Sequence, residues 1–133
     1  KNGLKEAVGK AGKGLITFSP LAQGLLTDRY LKGIPEDSRM KTDGRFLKED
    51  RLTEETLSSI RKLNEIAEQR GQSLAVMALS WILENENVTS VLVGASRASQ
   101  LLDSLGCISG SSFSDEELSA IDRISLPSPI DKR

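Results

Sequence analysis

The stretch VTSVLVGASRASQLLDSLG, residues 88–106, carries the clearest fold signal in the chain. Its first seven residues, VTSVLVG at 88–94, are β-branched and aliphatic, as a strand requires. Gly94, Ala95 and Ser96 follow, and then a helical pattern with Gln100, Leu101 and Leu102 in its middle that closes near Gly106. A second strand signal, GLITFSP at 14–20, is a short β-branched and aromatic run stopped by a proline. Helical segments separate the two strands, which predicts parallel pairing through a crossover. Both strands are apolar on both faces and read as buried, and two strands make no complete sheet. The chain therefore reads as α/β and as part of a larger structure, for which a (β/α)8 barrel is the fitting architecture.

The helices between and after the strands have well-marked ends. Thr53 is placed to cap a helix whose first turn holds Glu54 and Glu55, and Leu52 can staple to Leu57. Leu57, Ile60, Leu63 and Ala67, with Ile66 beside them, form its apolar stripe, while Arg61, Lys62, Glu65 and Glu68 face water. Gly71 ends it, and Ser73 caps LAVMALSWILEN, which is apolar nearly all round and so predicted to be buried. Met77 and Trp81 on that helix read as packing residues. In FSDEELSAIDRIS, Phe113 can staple to Leu118, and Ser114 with Glu117 makes a capping box. The opening KNGLKEAVGKAGKG reads as the end of a helix stopped by glycines, and LPSPIDKR as a weakly ordered tail. From Leu21 to Arg51 there is little periodicity, and so long a loop is usually functional or mobile.

Composition narrows the function classes. The 133 residues include 18 Lys plus Arg and 19 Asp plus Glu, a net charge of −1, with no long basic run, so nucleic acid is not an expected partner. No apolar run reaches the length of about 18 residues that a membrane span needs, and the N-terminal residues have no signal-peptide h-region, so the expected location is cytoplasmic. One cysteine, Cys107, makes neither a disulfide framework nor a cysteine zinc site, and it reads as structural. The chain has no histidine, which removes the commonest acid–base residue and the commonest metal ligand, and no metal site is expected.

In parallel α/β folds, ligands gather beyond the C-terminal ends of the strands. Beyond the first strand, FSPLAQGLLTDRYLKGIPEDSRM offers an aromatic at the strand tip, small residues with exposed amides, and Arg29 and Arg39. Beyond the second, Gly94 and Ala95 permit close backbone approach, Ser96 can cap the helix, and Arg97 offers a planar fork that matches a phosphate. Each feature also has a plainer reading. Gly-Ala-Ser is a common capping turn, Phe18 at a strand tip can be core or ligand stack, and isolated arginines are often only solvated. Tyr30, the sole tyrosine, is a conceivable general acid but has no activating lysine at a recognisable spacing.

Together FSPLAQGLLTDRYLKGIPEDSRM, RGQSLAVMALSWIL and VTSVLVGASRASQLLDS resemble, in order and spacing, the C-terminal part of the aldo-keto reductases, from about Gly14 to Ile124. The nearest branch includes bacterial glyceraldehyde-3-phosphate-type reductases and the potassium-channel β-subunits, with similar SPLA-G-L, GIP-SR and GAS-QL elements. The resemblance implies the C-terminal portion of a (β/α)8 TIM barrel: its last two βα units plus an extra helix after Phe113, with residues 1–133 forming an incomplete part of one domain. It implies NADP(H) as cofactor. Phe18 would stack on the nicotinamide, and Ser19, Pro20, Leu21, Ala22 and Gly24 would line the pyrophosphate path. Arg29 and Arg39 would belong to a strap over the cofactor. Gly94, Ser96, Arg97 and Gln100 would hold the adenosine end, with Ser96 and Arg97 near the 2′-phosphate and Gln100, Asp103 and Ser104 near the adenine.

Two positions depart from the pattern. Thr27-Asp28-Arg29 stands where relatives often have a Gly-Lys pair, and Ser104 where asparagine is frequent. The family's catalytic Asp, Tyr, Lys and His have no matching segment here, so no catalytic residue carries over, and the isolated 133 residues are expected to lack reductase activity. The resemblance implies an intact enzyme that reduces a small aldehyde or ketone, with a homo-oligomer compatible with it. Two other readings stand beside it, a redox-sensing regulatory subunit that binds NADP(H) and a truncated product without activity.

Overall fold

The computed structural model describes residues 3–31, 53–110 and 112–125. In chain order the elements are helix α1 (Leu4–Lys10), strand β1 (Leu15–Phe18), helices α2 (Glu54–Gln69) and α3 (Leu74–Leu83), strand β2 (Val88–Leu92), and helices α4 (Ala98–Ser104) and α5 (Asp115–Ser125). Short 3-10 turns occupy Ala22–Gly24, Asp28–Tyr30 and Leu105–Ile108. The staple assigned to Leu52 and the tail LPSPIDKR lie outside the described residues.

β1 and β2 pair in parallel, as the crossover predicted. Leu15 stands opposite Val88 and Ile16 opposite Ser90, so Thr89 is an extra residue that bulges the ladder. Gly14 admits that bulge, because a Cβ there would stand 1.9 Å from Thr89 Oγ1. The register ends with Phe18 beside Leu92, so both chains leave the sheet at the same edge.

The helices follow local chemistry closely. Thr53 Oγ1 accepts from Thr56 N at 3.1 Å, and Ser73 Oγ accepts from Val76 N at 3.2 Å, each capping its helix as its position predicted. The α2 stripe is also as predicted, with Ile60, Leu63 and Ala67 buried and Leu57 and Ile66 half-buried. Ile60, Leu63 and Ala67 join Leu74 and Met77 of α3, Phe113, and Ile121 of α5 in one apolar cluster, with Ile66 packed against it. Leu25, Leu26 and Leu31 from the loop after β1 pack against it, as does Leu118. Leu74 and Leu79 are the largest fully buried side chains, each worth about 2 kcal/mol of burial.

α5 is held to the end of α2 by a polar clamp. Arg70 pairs with Glu117, stacks over the Phe113 ring at 3.9 Å from its centroid, and donates from Nε to Gln72 Oε1 at 3.1 Å. The predicted capping box is present as well, with Ser114 N donating to Glu117 Oε2 at 2.8 Å and Glu117 N to Ser114 Oγ at 3.2 Å.

Burial departs from expectation at two places. One face of GLITFSP is open here, with Ile16 65% and Phe18 80% exposed, as is Leu92 to 58%, which is the face that further strands of a larger sheet would adjoin. Among the described residues the sheet has only two strands, and the helices cover the Leu15 and Thr17 face alone. Trp81 is likewise no core packing residue, being 40% exposed, because the cluster reaches Met77 but not the next turn of α3. Ser80 Oγ, also on α3, is buried with no hydrogen-bond partner among the described residues. Replacing Ser80 with Ala removes that unpaired hydroxyl and is expected to raise stability by about 1 kcal/mol. A denaturant titration of the full-length protein checks this, and a lower midpoint would mean the hydroxyl is bonded in solution.

Candidate functional site

The parallel register brings the two loops named above to one sheet edge. Phe18, at the tip of β1, presents an exposed aromatic ring there. The chain then turns through an unusual run of left-handed backbone: Ser19 has φ 52°, Ala22 46°, Gln23 61° and Gly24 96°. Only the last is a glycine. For the other three, this region costs on the order of 1–3 kcal/mol each and persists where the surroundings impose it. Short backbone bonds close the loop, from Ala22 N to Ser19 O at 3.0 Å and from Gly24 N to Leu21 O at 2.9 Å. Pro20 and Leu21 are half-buried beneath it, and Ala22 is exposed.

Across the edge, Val93 leads into Gly94, where an added Cβ would meet open space. Ser96 does not cap α4, contrary to the reading of its sequence. Arg97 holds the cap position with extended backbone, and the cap is supplied by Gln100 from within the helix. Gln100 Oε1 accepts from Ser96 N at 3.0 Å, Ser96 Oγ at 3.1 Å and Arg97 N at 3.3 Å. An amide oxygen reaching back from the third helical position satisfies the amide of the cap residue and the one before it, the reciprocal half of a capping box. Three donors thus converge on one oxygen. The glutamine at that position was the sequence signal for this arrangement.

The remaining residues are placed as follows. Asp103 Oδ2 accepts from Ser73 Oγ at 2.9 Å, which ties α4 to the start of α3. Ser104 is buried, and its hydroxyl donates to Gln100 O at 2.8 Å. Arg39 and the side chain of Arg29 lie outside the described residues. The structure therefore brings together Phe18 to Gly24 and Gly94 to Gln100, with Asp103 and Ser104 farther along α4. Tyr30 is buried, which removes it as an exposed general acid. Burial pushes the Cys107 thiol above its ordinary value, against a smaller opposing backbone hydrogen bond, which fits a structural cysteine. An open cleft of about 990 Å³ between the helices shares only Pro20 and Ala22 with the candidate site. No metal-binding cluster and no helix long and apolar enough to cross a membrane occur among the described residues.

Comparison with known proteins agrees with this geometry. The sequence profile of the Aldo/keto reductase family matches residues 1–126. The chain belongs to that family. This aldo/keto reductase chain is 56% identical over 126 residues to an L-glyceraldehyde 3-phosphate reductase of Escherichia coli O157:H7 and 53% identical to that of strain K12. Each match covers 92% of this chain and 36% of the relative, so the chain spans about a third of the length of these curated relatives. Its fold is also similar to a glycerol dehydrogenase from Gluconobacter oxydans, with a TM-score of 0.73 and 27% identity over 98% of this chain and 40% of that one. Its architecture is accordingly α/β, a two-strand part of a (β/α)8 barrel.

Proposed function

We propose that residues 1–133 are the C-terminal, cofactor-gripping part of an NADP(H)-dependent oxidoreductase whose full-length form reduces small aldehydes or ketones, sugar-phosphate aldehydes of the L-glyceraldehyde 3-phosphate type first among them. The observation that carries this reading is the convergence of Ser96 N, Ser96 Oγ and Arg97 N on a single oxygen, beside an arginine and across a sheet edge from an exposed aromatic. The donor set fits the cofactor. A phosphate oxygen is a stronger acceptor than the Gln100 amide it would displace, and the Arg97 guanidinium adds a planar fork.

When bound, the nicotinamide supplies a hydride. Phe18 would stack on that ring and fix which face meets the carbonyl. Ser19, Pro20, Leu21, Ala22 and Gly24 would line the pyrophosphate path. Gly94 would leave room for the adenosine end, and Ser96 and Arg97 would bind the 2′-phosphate. Gln100, released from Ser96 and Arg97, would lie with Asp103 near the adenine, Ser104 would hold the Gln100 carbonyl from behind, and Arg29 and Arg39 would strap the cofactor from the other loop. Proton transfer to the carbonyl oxygen falls to residues outside this segment.

Cofactor consumption by the purified full-length protein, followed with glyceraldehyde 3-phosphate and with simpler aldehydes, tests the proposal. Carbonyl-dependent oxidation of NADPH is the expected result. Tight NADPH binding without turnover would replace the reductase with a redox-sensing regulator, and the absence of NADPH binding would overturn both.

A further inference from the structure

Beyond its own backbone bonds, the strained loop after β1 is held by residues that are not the ones lining the candidate site. Thr27 Oγ1 donates to Gly24 O at 2.7 Å, bridging the last left-handed residue to the chain that leaves the loop. Tyr30 is 4% exposed, and its Cε2 lies 3.6 Å from where a Cβ on Gly24 would stand, so the ring backs the loop at that residue. Leu26 N donates to Leu21 O at 3.2 Å, closing the loop toward its exit, and Leu31 N donates to Asp28 O at 3.1 Å, fixing the turn that carries Tyr30. Leu25, Leu26 and Leu31 pack against the apolar cluster and root the assembly in the helices.

We infer that Thr27 and Tyr30 form a clasp that keeps the loop 19–24, with Ser19, Ala22, Gln23 and Gly24 left-handed, in its cofactor-ready form before NADPH arrives. They are positioning residues: neither lines the pyrophosphate path, and both act through Gly24. The inference rests on the cofactor reading above and deepens it. A loop already locked in its binding conformation loses little freedom on binding, so the clasp acts on affinity and release. Tyr30 thereby has a role that its burial permits and that proton donation does not.

The test uses the full-length protein with Thr27→Val, which keeps the shape and removes the donor, and Thr27→Ser, which restores it. Amide hydrogen exchange without cofactor reads the clasp directly. Stopped-flow NADPH fluorescence and the KM for NADPH against kcat read its consequence. In Thr27→Val, exchange at residues 22–26 should quicken about fivefold, NADPH release should quicken about fivefold, and KM should rise more than kcat falls, as the loss of one hydrogen bond implies. Thr27→Ser should return all three to within about twofold of the parent. Unchanged exchange in Thr27→Val, or no recovery in Thr27→Ser, overturns the clasp. Faster exchange with unchanged NADPH release overturns instead the assignment of this loop to the cofactor.

Discussion

Arg97→Ala in the full-length protein is expected to weaken NADPH by about 10- to 100-fold while changing NADH by less than about threefold, because a charged, hydrogen-bonded contact to a phosphate is worth about 1.5–3 kcal/mol. The discrimination comes from where Arg97 stands. It occupies the cap position of α4, next to the Ser96 donors, and across the sheet edge from Phe18. NADH lacks the 2′-phosphate and so loses only general electrostatic attraction. Ser96→Ala should act in the same direction but more weakly, since it removes one neutral donor and keeps the backbone amides. Isothermal titration of both cofactors against both variants reads the result. Equal losses for NADPH and NADH would remove the 2′-phosphate from this loop.

Glu117→Ala should lower the stability of the full-length protein by about 2–4 kcal/mol, the range for removing one partner of a buried ion pair, discounted for partial exposure. The Arg70 side chain is 5% exposed and would lose its carboxylate partner, with Gln72, the Ser112 carbonyl and the Phe113 ring among its remaining neighbours. The Ser114 amide would lose its carboxylate acceptor as well, while the Glu117 backbone N–H would still reach Ser114 Oγ. A pH dependence follows. The Ser114 amide, and then Arg70, hold the Glu117 carboxyl below its ordinary value of 4.5. A depressed carboxyl contributes stability that is fully present above the unfolded value and lost as pH falls through the folded one. The clamp should therefore hold at neutral pH and weaken only below about pH 4.5. Thermal unfolding of the parent and the variant between pH 3 and 7 checks both points, and the gap between them should narrow toward the acid end. A gap that stays constant with pH would mean that the carboxylate's charge plays no part.

Much of the fold was legible in the sequence because the signals involved act within a turn of helix. Thr53, Ser73 and the Ser114–Glu117 box each cap through a residue three positions away, and the stripe of Ile60, Leu63 and Ala67 recurs at the helical period. The candidate site was legible in its residue types but less so in its bonds. Ser96 had the right chemistry for a cap, yet Arg97 takes the cap position, and Gln100, equally visible in sequence, ties back the amides of Ser96 and Arg97. The exposure of Ile16, Phe18 and Trp81 was not legible, since composition marks a residue as apolar without saying which neighbours cover it.

By itself, the sequence determined the order of strands and helices, most of their caps, the α/β class and the two loops that follow the strands, all through local spacing and apolar periodicity. The tertiary structure decided what depends on residues far apart in the chain. The register that sets Phe18 beside Leu92, the left-handed path from Ser19 to Gly24 with Tyr30 behind it, and the Arg70–Glu117 clamp are of this kind. Each balances local cost against packing from another element, and that packing exists only once the helices have closed over one face of the sheet.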